Sequence, residues 1–315
     1  QFPGETFEEA IANRKDEASV AVVDYALHCM ITEFPPGREP ELETLVELGV
    51  PSFKVYTTYR PNYYMDDATL LRLLKQSARI GGLVVVHAEN DAIVTEETEQ
   101  LVRSGRTAWR YHAMARPAIA EQEAIHRVLF LAEAADAPVY IVHCSTARSV
   151  ELVREAVGRG VAAWCETCPQ YLLLDDRVYE GEKPQHYILQ PPIRGVGEPE
   201  KLWELVSRGA VDVISTDSCD YTIQQKEEYE TFTQTPGGLP GIETLLPLMY
   251  TYGVDGGRIE LTDMVRMMCE TPARLFGIAP RKGFLREGSD ADIVLYDPSV
   301  EKTIRHEDLH YLAGY

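Results

Sequence analysis

Short runs of apolar, largely β-branched residues recur along the chain, and a longer stretch with helical spacing follows most of them. The runs are Ser19–Leu27, Pro51–Tyr56, Leu83–His87, Pro138–His143, Val161–Glu166 and Val211–Asp217. Their unbroken apolarity predicts strands buried on both faces of a parallel sheet, rather than the alternation of a half-solvated antiparallel one. Between them, Asp66–Ile80 opens on an acidic cap, sets Leu70, Leu71, Leu73 and Leu74 toward one side and stops at Gly81-Gly82, which predicts a helix. Ala120–Ala135 and Ala147–Gly158 read in the same way. Strand–helix units repeated around one core place the chain in the α/β class. The pattern changes at Arg281–Pro298, which is turn-rich with a short apolar run at Ile293–Tyr296. We therefore expect two parts, residues 1–280 and residues 281–315, the second opening with a strand of a separate antiparallel element.

Two parallel α/β architectures compete for residues 1–280. A dinucleotide-binding open sheet needs G-x-G-x-x-G after its first strand, and a phosphate loop needs G-x-x-x-x-G-K-[ST]; neither occurs. The polar residues favour a (β/α)8 barrel. Lys54, His87, His143 and Asp217 each fall near the C-terminal end of a different predicted strand, where barrel enzymes gather their chemistry. Six strands are two fewer than a closed barrel holds.

Bulk properties narrow the function classes. The apolar share of 45 % and charged share of 25 % are those of an ordinary globular protein. A formal net charge of −20 argues against binding a phosphate backbone or an anionic membrane surface. No run reaches the roughly 18–20 apolar residues of a membrane span. Gln1–Glu5 lacks the basic and apolar regions of a secretory signal, and the missing initiator Met suggests a fragment or a processed product. Six scattered cysteines suit a reducing, cytoplasmic compartment better than a disulfide framework. Cys165 and Cys168 form one C-x-x-C, open to a redox or zinc reading, although no second pair exists and Pro169 follows directly.

Each candidate residue also has a plain structural explanation. A single histidine at a strand end is more often hydrogen-bonded than ligating. Two in the same relative position, in Val-Val-Val-His87 and Tyr-Ile-Val-His143, are what a zinc-type cation recruits. Asp217 is either a helix N-cap or a carboxylate ligand and general base. Lys54 in a buried strand is costly unless it is paired, reaches solvent or is carbamylated by CO2 into a bridging carboxylate. His28, His112, His126 and His186 read as structural or surface groups.

These residues and their neighbours resemble the amidohydrolase superfamily, and most closely its hydantoinase and dihydropyrimidinase branch. The resembling stretches are Phe53-Lys54-Val55-Tyr56, His87-Ala88-Glu89-Asn90, Tyr111-His112-Ala113 with Arg116-Pro117, and His143-Cys144-Ser145. They continue through Glu166–Tyr171, Pro191–Arg194, Ser215-Thr216-Asp217 and Gly238–Glu243 to Lys282-Gly283 and Gly288–Asp292. The resemblance implies a (β/α)8 barrel holding two divalent cations, usually zinc. A metal-bridging hydroxide would open the ring of a hydantoin or dihydropyrimidine. It assigns Lys54 as the carbamylated bridging ligand, His87 and His143 as ligands of the second metal, and Asp217 as ligand of the first metal and proton carrier. Tyr59 would stabilise the tetrahedral intermediate, and main-chain groups near Gln190 and Gly237 would hold the cyclic imide. Relatives in this branch are commonly homotetramers, so a homo-oligomer is expected. Gln170-Tyr171 stands where dihydroorotases and allantoinases usually show histidine, which favours the hydantoinase branch.

The chain departs from the family pattern at several points. No H-x-H occurs, so two first-metal ligands are missing. Ser19–Leu27 resembles the family's third strand, which would make the chain a truncated barrel of strands 3–8 followed by the start of a small β-sandwich, and could leave it inactive. Ser218, Gln190, Gly237 and Asp91 replace a usual histidine, serine, asparagine and glycine. Two other functions compete: a non-catalytic dihydropyrimidinase-like assembly protein, and a decarboxylase or aldolase using Lys54 as a Schiff base. The first typically loses metal ligands that this chain keeps. The second leaves His87, His143 and Asp217 unexplained.

Overall fold

The computed structural model describes residues 5–315; Gln1–Gly4, on which the expectation about a secretory signal falls, lie outside the described residues. Six strands pair in chain order, all parallel: β1 (Cys29–Met30), β2 (Ser52–Tyr56), β3 (Leu83–His87), β4 (Val139–Ile141), β5 (Ala163–Thr167) and β6 (Val213–Ile214). Neighbouring strands in that order, with helices between most of them, are the parallel α/β repeat expected from the apolar runs.

The chain divides into two compact units. The first comprises Gln1–Val94, Ile119–Val142 and Glu151–Cys165; the second comprises Thr95–Ala118, His143–Val150 and Glu166–Tyr315. In the first unit β2 and β3 pair along their full lengths, from Ser52 with Leu83 to Tyr56 with His87. Phe53, Val55, Val84 and Val86 are fully buried. The helix Asp67–Arg79 begins where Asp66 accepts the Thr69 N–H at 2.9 Å, so its side chain satisfies one of the donors a helix start leaves unpaired. Leu70, Leu73 and Leu74 go into the core, whereas Leu71 stays half-buried. Gly81 then turns the chain at φ 72°, a left-handed conformation that ends a helix cheaply only at glycine. The helices Ala118–Ala135 and Ala147–Gly158 fall where the spacing places them.

In the second unit the end of β5 pairs with β6, Glu166 with Val213 and Thr167 with Ile214. The helix Glu198–Ser207 buries Leu202, Trp203 and Val206, and the Trp203 indole donates to the Leu172 carbonyl at 2.9 Å.

Two predicted strands are corrected. Ser19–Leu27 is not a strand: Ala18–Val20 is a 3₁₀ turn, and Val22 is 99 % exposed. The edge of β2 is taken instead by Cys29 and Met30, which pair with Phe53 and Lys54. An apolar run becomes a strand only where a neighbour offers backbone hydrogen bonds. Ile293–Tyr296 likewise forms no strand, and Leu295 is 94 % exposed. Among the described residues no helix is long and apolar enough to cross a membrane.

The turn after the helix Asp67–Arg79 gives a test of packing. A Cβ at Gly82 would stand 2.5 Å from the Phe53 ring and 2.8 Å from the Ser77 hydroxyl. Gly82→Ala is expected to destabilise the protein by about 1–3 kcal/mol in urea unfolding. An unchanged midpoint would show that the β2 core yields without cost.

Candidate active site

In the first unit the parallel register of β2 and β3 brings three of the sequence candidates together. Side chains alternate along a strand, so Lys54 and Tyr56 share a face of β2, and Tyr56 pairs with His87 at the end of β3. The Lys54 Nζ lies 4.9 Å from the centre of the Tyr56 ring. The His87 ring lies 5.5 Å from the Tyr56 ring and 5.1 Å from the Tyr59 ring. Lys54 is half-buried, which answers how a cationic strand residue is tolerated: its stem is covered and its head lies over an aromatic face. Its charge reaches His28, whose pKa is lowered first by burial and then by Lys54.

His87 is oriented by a residue the sequence reading quoted but left without a role. Its Nε2–H donates to the Glu89 carboxylate at 2.7 Å, and both side chains are almost wholly buried. Donation from Nε2 in a neutral ring leaves the lone pair on Nδ1. A buried carboxylate fixing one imidazole nitrogen is the arrangement that orients metal-binding histidines. Two residues apart on an extended chain, His87 and Glu89 point to one side, a signal present in His87-Ala88-Glu89. The Thr57 hydroxyl donates to the Glu89 carbonyl at 2.9 Å and accepts the Glu89 N–H at 3.1 Å, locking the two strand ends together.

Tyr59 sits in a left-handed conformation, φ 75°. Asp91 holds both sides of it. The Arg60 N–H and the Thr58 hydroxyl donate to the Asp91 carboxylate at 3.2 and 3.3 Å, and the Arg60 guanidinium meets it at 2.8 Å. Asp91 therefore pins the Tyr59 turn. Among the described residues four non-glycine positions have positive φ, and His143 (42°) and Asp217 (50°) are two of the others. Such conformations cost about 1–3 kcal/mol each and collect at functional sites.

The second unit holds the remaining candidates. The His143 N–H donates to the Glu166 carboxylate at 3.2 Å, and the His143 side chain is buried. Asp217 is exposed and does not cap a helix; Thr222 caps the next one, Ile223–Glu227. The N-cap explanation for Asp217 is therefore not met. The Cys168 thiol is pushed well above its ordinary pKa, first by burial and then by the negative charges of Glu166 and Asp217. A buried thiol raised in this way does not favour the redox reading of the C-x-x-C.

Gln190 and Gly237 are in contact: a Cβ at Gly237 would overlap the Gln190 carboxamide. Several groups hold the chain around Gln190. The His112 Nε2–H donates to the Leu189 carbonyl at 2.7 Å, Tyr171 Oη to the Pro191 carbonyl at 2.8 Å, and the Gly238 N–H to the Ile188 carbonyl at 2.9 Å. The buried Arg194 bonds the Ser145 hydroxyl at 2.7 Å and the Arg116 carbonyl at 2.6 Å. His112, treated as merely structural in the sequence, is thus a fixed support for this loop. His186 donates to Glu227 at 3.0 Å, and His126 is exposed beside Phe130. Beside Thr216 a cavity of about 340 Å³ is lined by Pro169, Gln170, Leu173, Leu174 and Leu239, among others.

As to a metal, the donor chemistry fits one, since the candidates are imidazoles and a carboxylate and His87 carries a buried carboxylate partner. Among the described residues, no group of three His, Cys, Asp or Glu ligand atoms within 4.8 Å of one another includes His87, His143 or Asp217.

The two adjacent glycines should respond differently to alanine. At Gly238, φ is 156° and a Cβ would strike the Cys219 backbone, so Gly238→Ala should destabilise by about 1–3 kcal/mol. At Gly237 the obstacle is the end of a flexible glutamine, so Gly237→Ala should stay within about 0.5 kcal/mol. Equal losses in urea unfolding would contradict this geometry.

Comparison with known proteins places the chain among related sequences. The amidohydrolase family profile matches residues 41–313. A D-phenylhydantoinase of Escherichia coli is 42 % identical over 301 residues, covering 95 % of this chain and 65 % of its own length. The chain thus spans less than two thirds of that curated relative. A solved D-hydantoinase superposes with TM-score 0.96 at 38 % identity over 99 % of this chain and 69 % of its own. The dihydropyrimidinase of Brevibacillus agri gives TM-score 0.94 at 37 % identity over 96 % and 67 %.

Proposed function

The chain belongs to the amidohydrolase family, close to its hydantoinases and dihydropyrimidinases, and on that footing we propose that it serves metal-dependent hydrolysis of a cyclic amide. The reading rests on one observation above the rest: His87 at the end of β3 donates to the buried Glu89 carboxylate, next to Lys54 and Tyr59. A lone structural histidine does not need a buried carboxylate, which is costly to desolvate without a partner.

Lys54 and His87 in the first unit, and His143 and Asp217 in the second, are each proposed as metal ligands by residue type, with zinc as the cation the donors suit. For Lys54 this requires carbamylation, in which its neutral amine adds CO2 and releases a proton, turning a cation into a carboxylate ligand. Bound cations would supply Lewis-acid polarisation of the amide carbonyl and a lowered pKa for water. The remaining work falls to the chain's own groups. Tyr59 would donate its hydroxyl hydrogen to the carbonyl oxygen as that oxygen gains charge. Asp217, exposed and ionisable, would accept the water proton and deliver it to the departing ring nitrogen. Main-chain N–H and C=O groups at Gln190 and Gly237 match the alternating acceptors and donors of a cyclic imide. The apolar cavity beside Thr216 adds room on that side of the second unit.

We assign residues 281–315 to a second segment, with the exposed Val294 and Leu295 awaiting a partner, and expect the whole protein to be a homo-oligomer. The relatives' names, and Gln170 in place of histidine, support a substrate of the hydantoin and dihydropyrimidine class.

Metal content by elemental analysis is the direct test. This chain alone should hold less than one zinc, and a chain joined to a relative's His-x-His strand should hold two. Glu89→Gln should weaken metal affinity about 10–100-fold in chelator competition. Zinc-dependent opening of hydantoin or 5,6-dihydrouracil by the extended chain, abolished in His87→Ala, is the expected activity. Metal in neither chain would remove the catalytic reading.

A further inference from the structure

Lys226 is fully buried, yet it forms no salt bridge in the described structure: its Nζ donates to the Ile188 carbonyl at 2.8 Å and to the Pro236 carbonyl at 2.8 Å. These carbonyls lie two residues before Gln190 and one before Gly237. Burying an amine is unfavourable, and burial lowers the Lys226 pKa to about 7, against a small opposing effect of Cys219. A methionine of similar length would fill the space without that penalty. The penalty is offset by the two hydrogen bonds, since a buried carbonyl without a partner costs about 1–3 kcal/mol and the Ile188 carbonyl would otherwise keep only the Gly238 N–H.

The sequence around Lys226 explains how the side chain is delivered. Thr222 and Gln225 form a reciprocal capping box that starts the short helix Ile223–Glu227. The Ile223 N–H donates to the Ala313 carbonyl at 2.7 Å, and Glu227 accepts from Lys183 at 2.7 Å and from His186 at 3.0 Å. The helix is therefore fastened at both ends, and Lys226 points inward from it. The Lys226 Nζ also lies 5.7 Å from the Tyr221 ring. Together with the Gly238 N–H on the Ile188 carbonyl, the amine ties residues 188–190 to residues 236–238. Ammonium and neutral amine both carry enough N–H groups for two carbonyls, so the tie survives titration of Lys226.

We propose that Lys226 is a positioning residue for cyclic-imide recognition: it sets the spacing of the Gln190 and Gly237 main-chain segments without touching the substrate. The inference rests on the proposed imide-binding role of those two segments. It adds a residue that makes the recognition depend on a helix outside the strand ends.

Amide hydrogen exchange on the 315-residue chain tests the tie independently of any activity. Lys226→Met should speed exchange at residues 188–190 and at Gly237 and Gly238 about tenfold or more, while β2 and β3 keep their protection. Lys226→Gln, which retains N–H donors, should fall between the two, and it serves as the reading if the methionine variant does not fold. Unchanged exchange at both segments, or equal acceleration throughout the chain, would overturn the assignment. In the extended, zinc-loaded chain, Lys226→Met should raise KM for hydantoin about tenfold with kcat within about threefold. A fall in kcat alone would also overturn it. Absence of turnover by the unsubstituted extended chain would count against the hydrolase reading instead, with the exchange experiment still deciding the role of Lys226.

Discussion

The register of β2 on β3 is the constraint on which the rest of the first unit depends. Five consecutive pairs, Ser52 with Leu83 through Tyr56 with His87, are held by slanted parallel hydrogen bonds. Because side chains alternate, this register sends Phe53 and Val55 into the core and leaves Lys54 and Tyr56 on the opposite face. A slip of one residue would exchange those sets, exposing Phe53 and Val55 and burying the lysine against apolar neighbours. The same register ends both strands together, so Thr57 can bond the His87 and Glu89 backbones and hand the chain on to Tyr59.

Past the strand ends the geometry is held by buried polar groups rather than by apolar packing. Tyr59, His143 and Asp217 occupy left-handed conformations, which are uncommon for residues other than glycine. Asp91 clamps the residues flanking Tyr59, and Glu166 holds the His143 N–H. Strain of this kind persists only where neighbours over-determine it. In the second unit His112, Tyr171, Arg194 and Lys226 all spend donors on main-chain carbonyls. These loops cannot satisfy their carbonyls in a sheet, so side chains satisfy them instead.

Glu89 and Asp91 show how one short segment serves two purposes. Glu89 sets the tautomer of His87, and Asp91 fixes the turn that presents Tyr59. Asp91 therefore stiffens the turn while Glu89 holds the histidine.

Much of this was legible in the amino-acid order. Apolar runs of strand length marked β2 to β6, and leucine spacing with an acidic cap and a glycine stop marked the helix Asp67–Arg79, because both signals are local and periodic. Residue type and position in those runs also singled out Lys54, His87, His143 and Asp217 as candidates. The run Ser19–Leu27 had the composition of a strand and is not one, since a strand exists only where a neighbour supplies hydrogen bonds, and that edge went to Cys29 and Met30. Lys226 lies in Gln-Gln-Lys-Glu-Glu, which reads as a solvated stretch, and its burial depends on carbonyls 38 and 10 residues away in sequence. The sequence by itself determined the element types, the parallel class and the residue chemistry at the strand ends, all encoded within a few neighbours. Only the tertiary structure decided which backbone edges pair, which carboxylate orients His87 and which cation is buried, because these are contacts between segments whose separation no local pattern records.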